Sequence, residues 1–328
     1  MKNIVVIGVG ALGSRHLQSL VNLSKEDFKV YAVDPNQNSL DKAKDIYSVS
    51  KLKSSPDVGF YKDLLQMPIE DVDLAIVATN SIVRLKVVST LLVSKKVRNI
   101  VLEKFLFPRE SDYIEAEGLF AKHQANVWVN CPRRLHPIYE FIKNRVKREE
   151  KIQMTVIGHN WGMGCNSIHS IDILNFLSNQ VVNKVEDHGL RKKLEVSKRD
   201  GYVEFTGAIK GLTSRGDSIV LYDRGVERNG GITYTIEQES KRFIIFPGRE
   251  TVLSFWESEE GPNFNLKSFQ SPYQSELTHV IVEEILYTGA TRLPTYDELS
   301  TSHLPLLACL LQHYNLLNNT KSYICPIT

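Results

Sequence analysis

The sequence lacks the features that would mark a membrane, disulfide-rich or zinc-binding protein. It has four cysteines in 328 residues, and none has the C-x-x-C spacing of a zinc site or redox motif. No run approaches the ~18 consecutive apolar residues of a membrane span. The apolar run Ile4 to Val9 is too short for a signal peptide. These absences predict a cytoplasmic protein without a structural metal.

A surplus of one charge is also missing. Forty basic residues face 38 acidic ones, which leaves a formal charge of +2. Nucleic-acid binding usually needs a concentrated basic face. With 42% hydrophobic and 24% charged residues and no low-complexity tract, the composition is that of a folded protein. We therefore expect a small-molecule partner rather than nucleic acid or membrane.

The first 130 residues alternate short apolar strands with amphipathic helices, the pattern of an α/β domain with a covered parallel sheet. This predicts a doubly wound Rossmann domain over residues 1–130. The expected strands are Asn3–Ile7, Lys29–Val33, Leu74–Ala78, Ile100–Leu102 and Asn126–Asn130, and the expected helices are Gly10–Leu23, Ser39–Tyr47, Ile82–Ser94 and Ser111–His123.

Residues 131–328 change to consecutive strands, which predicts an α+β domain with an open antiparallel sheet and flanking helices. Asn-Gly within Arg228–Gly231 is a hairpin-turn signal between two of these strands. The last helix is expected to begin near Thr295, and Pro305 should kink it or mark its true start. The other expected elements are strands at 152–159, 218–223, 232–239, 242–246 and 250–258 and helices at 166–177 and 275–287.

A glycine motif, G-x-G-x-x-G, follows the first strand and opens the first helix, which is the context that dinucleotide binding requires. Gly8 permits the tight turn, and Gly10 lets the backbone approach a pyrophosphate. Gly13 allows close packing of helix on strand. The amides around Ala11 and Leu12 would face the bound anion.

Asp34 follows 21 residues after Gly13, at the end of the second predicted strand. A carboxylate there can accept hydrogen bonds from the adenosine ribose hydroxyls, and it would repel the 2′-phosphate of NADP. Pro35 and Asn36 supply no compensating arginine. The sequence therefore predicts NAD, with NADP less favoured.

Two more strand ends carry polar residues, Thr79-Asn80 and Glu103-Lys104. Because ligands in open parallel sheets bind beyond the carboxyl ends of the strands, both segments should border the nicotinamide half of the cofactor. Thr79 or Asn80 could instead cap the helix that follows, and both roles are compatible.

An ordered set of motifs resembles the Gfo/Idh/MocA family of dehydrogenases, which includes glucose–fructose oxidoreductase and inositol dehydrogenase. The set spans nearly the whole chain. It comprises the glycine motif with His16, Ala78-Thr79-Asn80, Glu103-Lys104, Arg133-Arg134 before Pro137, His169-Ser170-Ile171-Asp172, and Leu293-Pro294-Thr295.

The resemblance implies that Lys104 and His169 are catalytic. Physical reasoning agrees, since hydride transfer from an alcohol also requires removal of the hydroxyl proton. An imidazole suits that exchange near neutral pH, and an ammonium can polarise the substrate oxygen. A packed histidine and an exposed loop lysine are the structural alternatives.

Substrate contacts are expected from residues around these two. Arg134, or Arg133 in its place, could bind hydroxyl, carboxylate or phosphate groups. Asn160 and Trp161 precede the His169 helix and could line a sugar pocket, although a tryptophan such as Trp161 more often belongs to the core. Cys165 is placed in the same pocket. Asp172, three residues after His169, could orient the imidazole or anchor the helix.

Three residues depart from the family pattern. Phe105 replaces the proline of a Glu-Lys-Pro segment, and because a cis non-proline bond costs about 3–4 kcal/mol, a trans bond is expected. Cys165 stands where many family members have aspartate. Arg84 stands where histidine is frequent.

These features predict an NAD-dependent oxidoreductase acting on a secondary hydroxyl of a sugar, amino sugar or nucleotide sugar, a role that suits surface-polysaccharide synthesis. A glycosidase that uses NAD⁺ for transient oxidation and elimination is one alternative. A non-enzymatic, cofactor-binding regulatory protein is another. The resemblance also implies a homodimer or homotetramer.

Overall fold

The computed structural model describes residues 1–197, 201–225, 231–258 and 261–327. The chain divides into two compact units, each assembled from separate stretches of sequence. Unit 1 comprises Met1–Phe107, Ser111–Pro132 and Pro272–Tyr296, and unit 2 comprises Pro108–Glu110, Arg133–Ser271 and Asp297–Thr328.

Unit 1 contains a parallel sheet with helices between its strands. Its strands are β1 (Lys2–Ile7), β2 (Phe28–Val33), β3 (Val58–Tyr61), β4 (Asp71–Val72), β5 (Leu74–Val77), β6 (Lys96–Val97), β7 (Asn99–Glu103) and β8 (Asn126–Asn130). Its helices in the first part of the chain are α1 (Gly13–Ser19), α2 (Gln37–Ser50), α3 (Ser81–Ser94) and α4 (Glu110–His123), the last of which begins at a residue assigned to unit 2.

Six of these strands pair in the order β3-β2-β1-β5-β7-β8, all parallel. β5 is buried at every residue and β1 at its last four, as strands covered on both faces should be. The predicted doubly wound fold is confirmed. The sequence reading missed β3, a four-residue edge strand that is only half-buried and contains Gly59.

Unit 2 contains a larger sheet flanked by helices. Its elements begin with α5 (Pro137–Lys143), β9 (Gln153–Gly158), α6 (Met163–Ser178), β10 (Val182–Leu190), β11 (Glu195–Val196), β12 (Val203–Glu204), β13 (Gly207–Thr213) and β14 (Ser218–Asp223). They continue with β15 (Thr233–Glu237), β16 (Lys241–Phe246), β17 (Thr251–Ser258) and β18 (Gly261–Ser268).

The eight-stranded sheet of unit 2 has the order β10-β13-β14-β9-β15-β16-β17-β18. Its strands pair antiparallel as predicted, except that β9 and β14 are parallel, so the sheet is mixed. Buried and half-exposed residues alternate along β13, β14 and β15, so one face of the sheet is covered and the other is open. The turn predicted at Arg228–Gly231 falls largely on residues 226–230, outside the described residues.

Two helices end the chain, α7 (Gln274–Thr288) and α8 (Tyr296–Asn318). Helix α7 belongs to unit 1, where it packs against α1. Helix α8 begins directly after Thr295, and Pro305 lies inside it, so this proline does not mark its start. In the described part of the chain, none of the helices has the length and apolarity needed to cross a bilayer.

Candidate functional site

The turn after β1 is shaped by two of its three glycines. Gly8 has a φ of +84°, and a Cβ there would lie 2.9 Å from the amide nitrogen of Thr79. A Cβ on Gly13 would lie 1.8 Å from the carbonyl oxygen of Gly8. Both positions therefore exclude a side chain, because the turn, the start of α1 and the end of β5 are in close contact.

Gly10 differs from the other two glycines. A Cβ built on it has no protein atom within 4 Å, and Gly10 and Ala11 are exposed while Leu12 is half-buried. The backbone at Gly10 therefore borders open space rather than protein. An exposed, side-chain-free turn after a buried strand fits the pyrophosphate of a dinucleotide.

Asp34 lies directly after β2, beside the glycine turn. The Gly8 amide donates to Val33 O at 2.8 Å, which joins the two strand ends. The Asp34 carboxylate is buried, and its Oδ1 accepts the amide of Asn36 at 2.9 Å. This bond fixes the carboxylate at the carboxyl end of β2, the position that ribose recognition requires.

Thr79 and Asn80 occupy the end of β5. Asn80 Oδ1 accepts the amides of Ile82 and Val83 at 3.1 and 3.2 Å, so Asn80 is the N-cap of α3. Thr79 Oγ1 is buried and has no hydrogen-bond partner in the described structure. A polar atom left unsatisfied beside the glycine turn fits a ligand group that would bind there.

The Lys104–Phe105 peptide bond is cis, so the expectation of a trans bond is wrong. Phe105 is fully buried, and Arg84 donates hydrogen bonds to the carbonyl groups of Phe105, Leu106 and Thr79. Arg84 is itself only 1% exposed. The arginine that departs from the family pattern therefore holds the backbone that follows Lys104, which is half-buried.

Glu103, the last residue of β7, belongs to a buried polar network. Its Oε1 accepts His16 Nε2 at 2.8 Å and also the amide group of Asn130. Burial would raise the pKa of Glu103, but the hydrogen bonds from His16 and Asn130 hold it below its ordinary value. The carboxylate expected to contact the cofactor is thus ionised and bound to protein donors.

In unit 2, Arg134 and Asp172 bind each other. Arg134 Nε lies 2.9 Å from both Asp172 oxygens, and its Nη2 lies 2.5 Å from Glu298 Oε1. Burial raises the pKa of Asp172 to about 6, against the opposing effect of Arg134. Burial disfavours the Arg134 charge, but the two carboxylates raise its pKa above the ordinary value. Asp172 therefore anchors α6, one of the two roles considered for it.

His169 is half-buried on α6, between two anchored positions. The next residue, Ser170, places its Oγ 3.1 Å from Tyr234 Oη, which also accepts a hydrogen bond from Arg133. At the start of the helix, the Gly164 amide donates to Glu204 Oε2 at 2.7 Å. Cys165 lies one turn before His169 and is half-buried, with Sγ 3.5 Å from Gly162 O.

Asn160 and Trp161 are held by a residue that sequence reasoning did not single out. Asp223, at the end of β14, accepts their backbone amides at 2.8 and 2.9 Å. The Trp161 indole donates to Tyr222 O at 3.1 Å, and the ring remains half-buried. Asn160 is exposed with a φ of +46°. Trp161 is therefore neither a core residue nor a free surface residue.

The predicted residues thus gather within each unit. In unit 1 the glycine turn, Asp34, Thr79 and the Lys104 segment share the carboxyl edge of the parallel sheet. In unit 2, the residues predicted to contact the substrate lie on α6 or on the segments before it. Metal binding has no support in the described ranges, where no group of three or more His, Cys, Asp or Glu side chains could hold an ion.

These features define a dinucleotide-binding Rossmann domain. Residues 2–131 match the model of an oxidoreductase family with an NAD-binding Rossmann fold, the Gfo/Idh/MocA family. Over these residues the chain matches this family's model, which agrees with the resemblance that its N-terminal motifs indicate. No curated protein matches the sequence.

Solved structures share the fold over nearly the whole chain. UDP-N-acetylglucosamine 3-dehydrogenase from Acidithiobacillus ferrooxidans has a TM-score of 0.68 and 14% identity, with 94% of this chain and 95% of that chain covered. Levoglucosan dehydrogenase in complex with NADH has a TM-score of 0.70 and 10% identity, with coverage of 96% and 97%. A super-repressor mutant of Gal80p from Saccharomyces cerevisiae has a TM-score of 0.72 and 11% identity, with coverage of 97% and 96%.

Proposed function

We propose that this protein is an NAD-dependent dehydrogenase that transfers hydride to or from a secondary hydroxyl of a sugar, amino sugar or nucleotide sugar. The observation that carries the proposal is the carboxyl edge of the unit 1 sheet. There an open glycine turn, a fixed ribose-side carboxylate and Lys104 follow β1, β2 and β7 of one parallel sheet. The likeness to two structures named as sugar dehydrogenases supports the substrate class.

The cofactor would be held by the residues that border this edge. The backbone of Gly10 and Ala11 would receive the pyrophosphate, and Asp34 would bind the adenosine ribose. Thr79 Oγ1, which lacks a protein partner, would gain one from the ligand. NAD would supply the hydride acceptor or donor, and the chain's own residues would handle the proton and the substrate.

Lys104 and His169 are proposed to share the work on the substrate oxygen. When an alcohol is oxidised, its carbon loses a hydride and its hydroxyl loses a proton. His169 would accept that proton, and the Lys104 ammonium would stabilise negative charge developing on the oxygen. In the reverse direction His169 would return the proton. Both side chains are half-buried, so each is partly open to solvent.

Substrate recognition is assigned to half-buried and exposed residues of unit 2. Because Arg134 and Asp172 are buried against each other, we propose that Arg133 takes the substrate contact considered for either arginine. The half-buried Trp161 ring would pack against the apolar face of a sugar, and Asn160 and Cys165 would lie beside it.

The test is a screen of free and nucleotide-linked sugars with NAD⁺, monitored at the absorbance band of reduced nicotinamide. A sugar that produces this band should then be assayed with Lys104→Met and His169→Ala. We expect both variants to lose at least ~100-fold in kcat while still binding NADH in a fluorescence titration. Wild-type rates in both variants would show that the catalytic assignment is wrong.

A non-enzymatic regulatory role is the second candidate. It is favoured by the likeness to Gal80p, whose structure is that of a super-repressor mutant, and by Cys165, which cannot relay protons as an aspartate would. This role predicts NADH binding without turnover of any sugar in the screen. A glycosidase of the transient-oxidation type would turn over substrate without releasing free NADH.

We also propose that the chain forms a homodimer or homotetramer through the open face of the unit 2 sheet. Apolar residues line up across its strands on this face, where Leu253 pairs with Ile244 and Leu266, and Phe255 pairs with Phe264. Phe264 and Leu266 are 75% and 67% exposed. A contiguous apolar face of this kind marks a protein–protein interface more often than free surface.

Light scattering coupled to gel filtration tests this surface. The wild-type chain is expected to elute as an oligomer, and the double variant Leu253→Glu/Leu266→Lys as a smaller species with unchanged circular dichroism. The matched control is Val196→Glu, which changes an exposed apolar residue on the short β11–β12 ribbon. A wild-type monomer, or an oligomer that the double variant leaves intact, contradicts the assignment.

A further inference from the structure

A closed ring of hydrogen bonds includes Glu103, the residue directly before Lys104. Besides Glu103, His16 contacts Thr278, with its Nδ1 2.9 Å from Thr278 Oγ1. Gln274 donates from Nε2 to Thr278 Oγ1 at 2.9 Å, and its Oε1 accepts Asn130 Nδ2 at 3.0 Å. Asn130 returns to Glu103 and closes the ring. We call these five residues the His16 ring.

The ring joins four elements of unit 1 that bear on the cofactor edge. His16 lies on α1, three residues after the last glycine of the turn. Glu103 ends β7, Asn130 ends β8, and Gln274 and Thr278 lie in the first turns of α7. His16, Glu103, Asn130 and Thr278 are buried and Gln274 is half-buried, so the ion pair of the ring is shielded from solvent.

The buried carboxylate of Glu103 restricts how far the residues of the ring can move. A buried carboxylate is costly unless donors satisfy it, and bonds to an ionised group are shorter and stronger than neutral ones. His16 Nε2 and Asn130 Nδ2 both donate to the same oxygen of Glu103, Oε1. The end of β7 therefore cannot shift relative to α1 without breaking a charge-assisted bond.

Lys104 follows Glu103 directly. The hydrogen bonds of Glu103 to His16 and Asn130 therefore also restrain the backbone of Lys104. Arg84 holds the carbonyl groups of the next two residues. Hydrogen bonds therefore restrain the backbone both before and after Lys104.

We propose that His16 and Glu103 are positioning residues that hold Lys104 in place relative to the glycine turn and thus to the bound dinucleotide. This inference rests on the proposed function, because it takes Lys104 to lie beside the cofactor. The pair touches neither substrate nor reacting atoms. It acts by tying the helix that follows the turn to the strand that presents the lysine.

Protection of Lys104 from acetylation tests the proposal without a known substrate. The protein is treated with acetic anhydride with and without NAD⁺, and modification of Lys104 is quantified by mass spectrometry relative to exposed Lys122. At ten times the Kd about a tenth of the protein is free, so NAD⁺ should slow wild-type Lys104 acetylation about tenfold. Each variant is assayed at ten times its own Kd.

His16→Leu is expected to bind NADH with a Kd within about threefold of wild type but to show protection below about threefold. His16→Gln, whose amide can still donate to Glu103, should keep most of the protection. Thr278→Val replaces the hydroxyl with a methyl group and removes the bonds of Thr278 to His16 and Gln274. If His16→Leu fails to fold, Thr278→Val should show the same loss of protection. The control Tyr47→Phe removes a buried hydrogen bond of unit 1 outside the ring and should keep tenfold protection.

The outcomes separate this inference from the proposed function. Full protection in His16→Leu would overturn the positioning role and leave Lys104 at the cofactor. Loss of NADH binding itself in His16→Leu would also overturn it, because the ring would then act on the turn rather than on Lys104. An unprotected Lys104 in the wild type would refute its proposed catalytic place and the inference together.

Discussion

The guanidinium of Arg134 binds the carboxylate of Asp172 inside unit 2. Its Nη2 lies 2.6 Å from Asp172 Oδ1, and its Nε lies 2.9 Å from both carboxylate oxygens. Asp172 is fully buried, and Arg134 also binds Glu298. The pair therefore joins the short segment before α5 to α6, the helix that carries His169, and to the first turn of α8.

Removing one partner of this pair should destabilise the protein more than removing a surface pair. Asp172→Asn is expected to lower the free energy of unfolding by about 3–5 kcal/mol, because it leaves a buried charge poorly compensated. Arg98→Gln, which breaks an exposed ion pair with Asp73, should cost less than about 1 kcal/mol. Urea unfolding measures both. Equal, small effects would mean that Arg134 does not depend on Asp172.

His136 should make the protein less stable in acid. Burial lowers its pKa from 6.5 to about 4, Arg133 adds to the shift, and Glu250 opposes it. Between these pKa values the unfolded chain binds more protons than the folded one, so stability rises with pH. Acidification from pH 7 to pH 4 should therefore remove about 3 kcal/mol through this group.

The variant His136→Asn isolates this contribution, because asparagine does not titrate and is a good N-cap before Pro137. Between pH 7 and pH 4, the free energy of unfolding of the wild type should fall by about 3 kcal/mol relative to that of the variant. Curves that stay parallel over this range would show that His136 titrates normally in the folded state.

Gly10 and Gly13 should respond differently to the same substitution. Gly10→Ala adds a methyl group to open space, so Tm should stay within about 2 °C, while the Kd for NADH should rise at least about tenfold if the pyrophosphate lies there. Gly13→Ala forces its Cβ against Gly8 O and should lower Tm directly. Unchanged NADH affinity in Gly10→Ala would place the ligand elsewhere.

Asp34 should set the preference for NAD. The wild-type chain is expected to bind NADH more tightly than NADPH, because the fixed carboxylate repels a 2′-phosphate. Asp34→Ser should narrow the ratio of the two dissociation constants by at least about tenfold. Fluorescence titration of both cofactors gives the ratio, and tighter binding of NADPH to the wild type would overturn the role given to Asp34.

The features readable from the sequence are local ones. The glycine turn, β1, β2 and Asp34 follow one another within 34 residues, and each has its own pattern of hydrophobicity or spacing. The same holds for the hydrophobic alternation of β14 and for the start of α8. Local propensity and burial agree at these positions, so the expected elements lie close to the observed ones.

The features that were not readable depend on residues far apart in sequence. Arg134 and Glu298 are separated by 164 residues, and His16 and Thr278 by 262. No spacing rule connects such pairs, so Arg134 and Asp172 could be seen as polar residues near His169 but not as each other's partners. The contacts of Arg84 with the carbonyl groups of Phe105 and Leu106 also join distant residues, since Arg84 lies on α3 and these residues follow β7.

Transfer of a labelled hydrogen tests the central claim most directly. A sugar found in the screen would be deuterated at the carbon that is oxidised and incubated with the wild-type protein and NAD⁺. We predict that deuterium appears at C4 of the nicotinamide in free NADH, as detected by mass spectrometry and NMR, and that Lys104→Met and His169→Ala form far less of this product. Free NADH without deuterium, or turnover that leaves the label only on the sugar, would contradict the account.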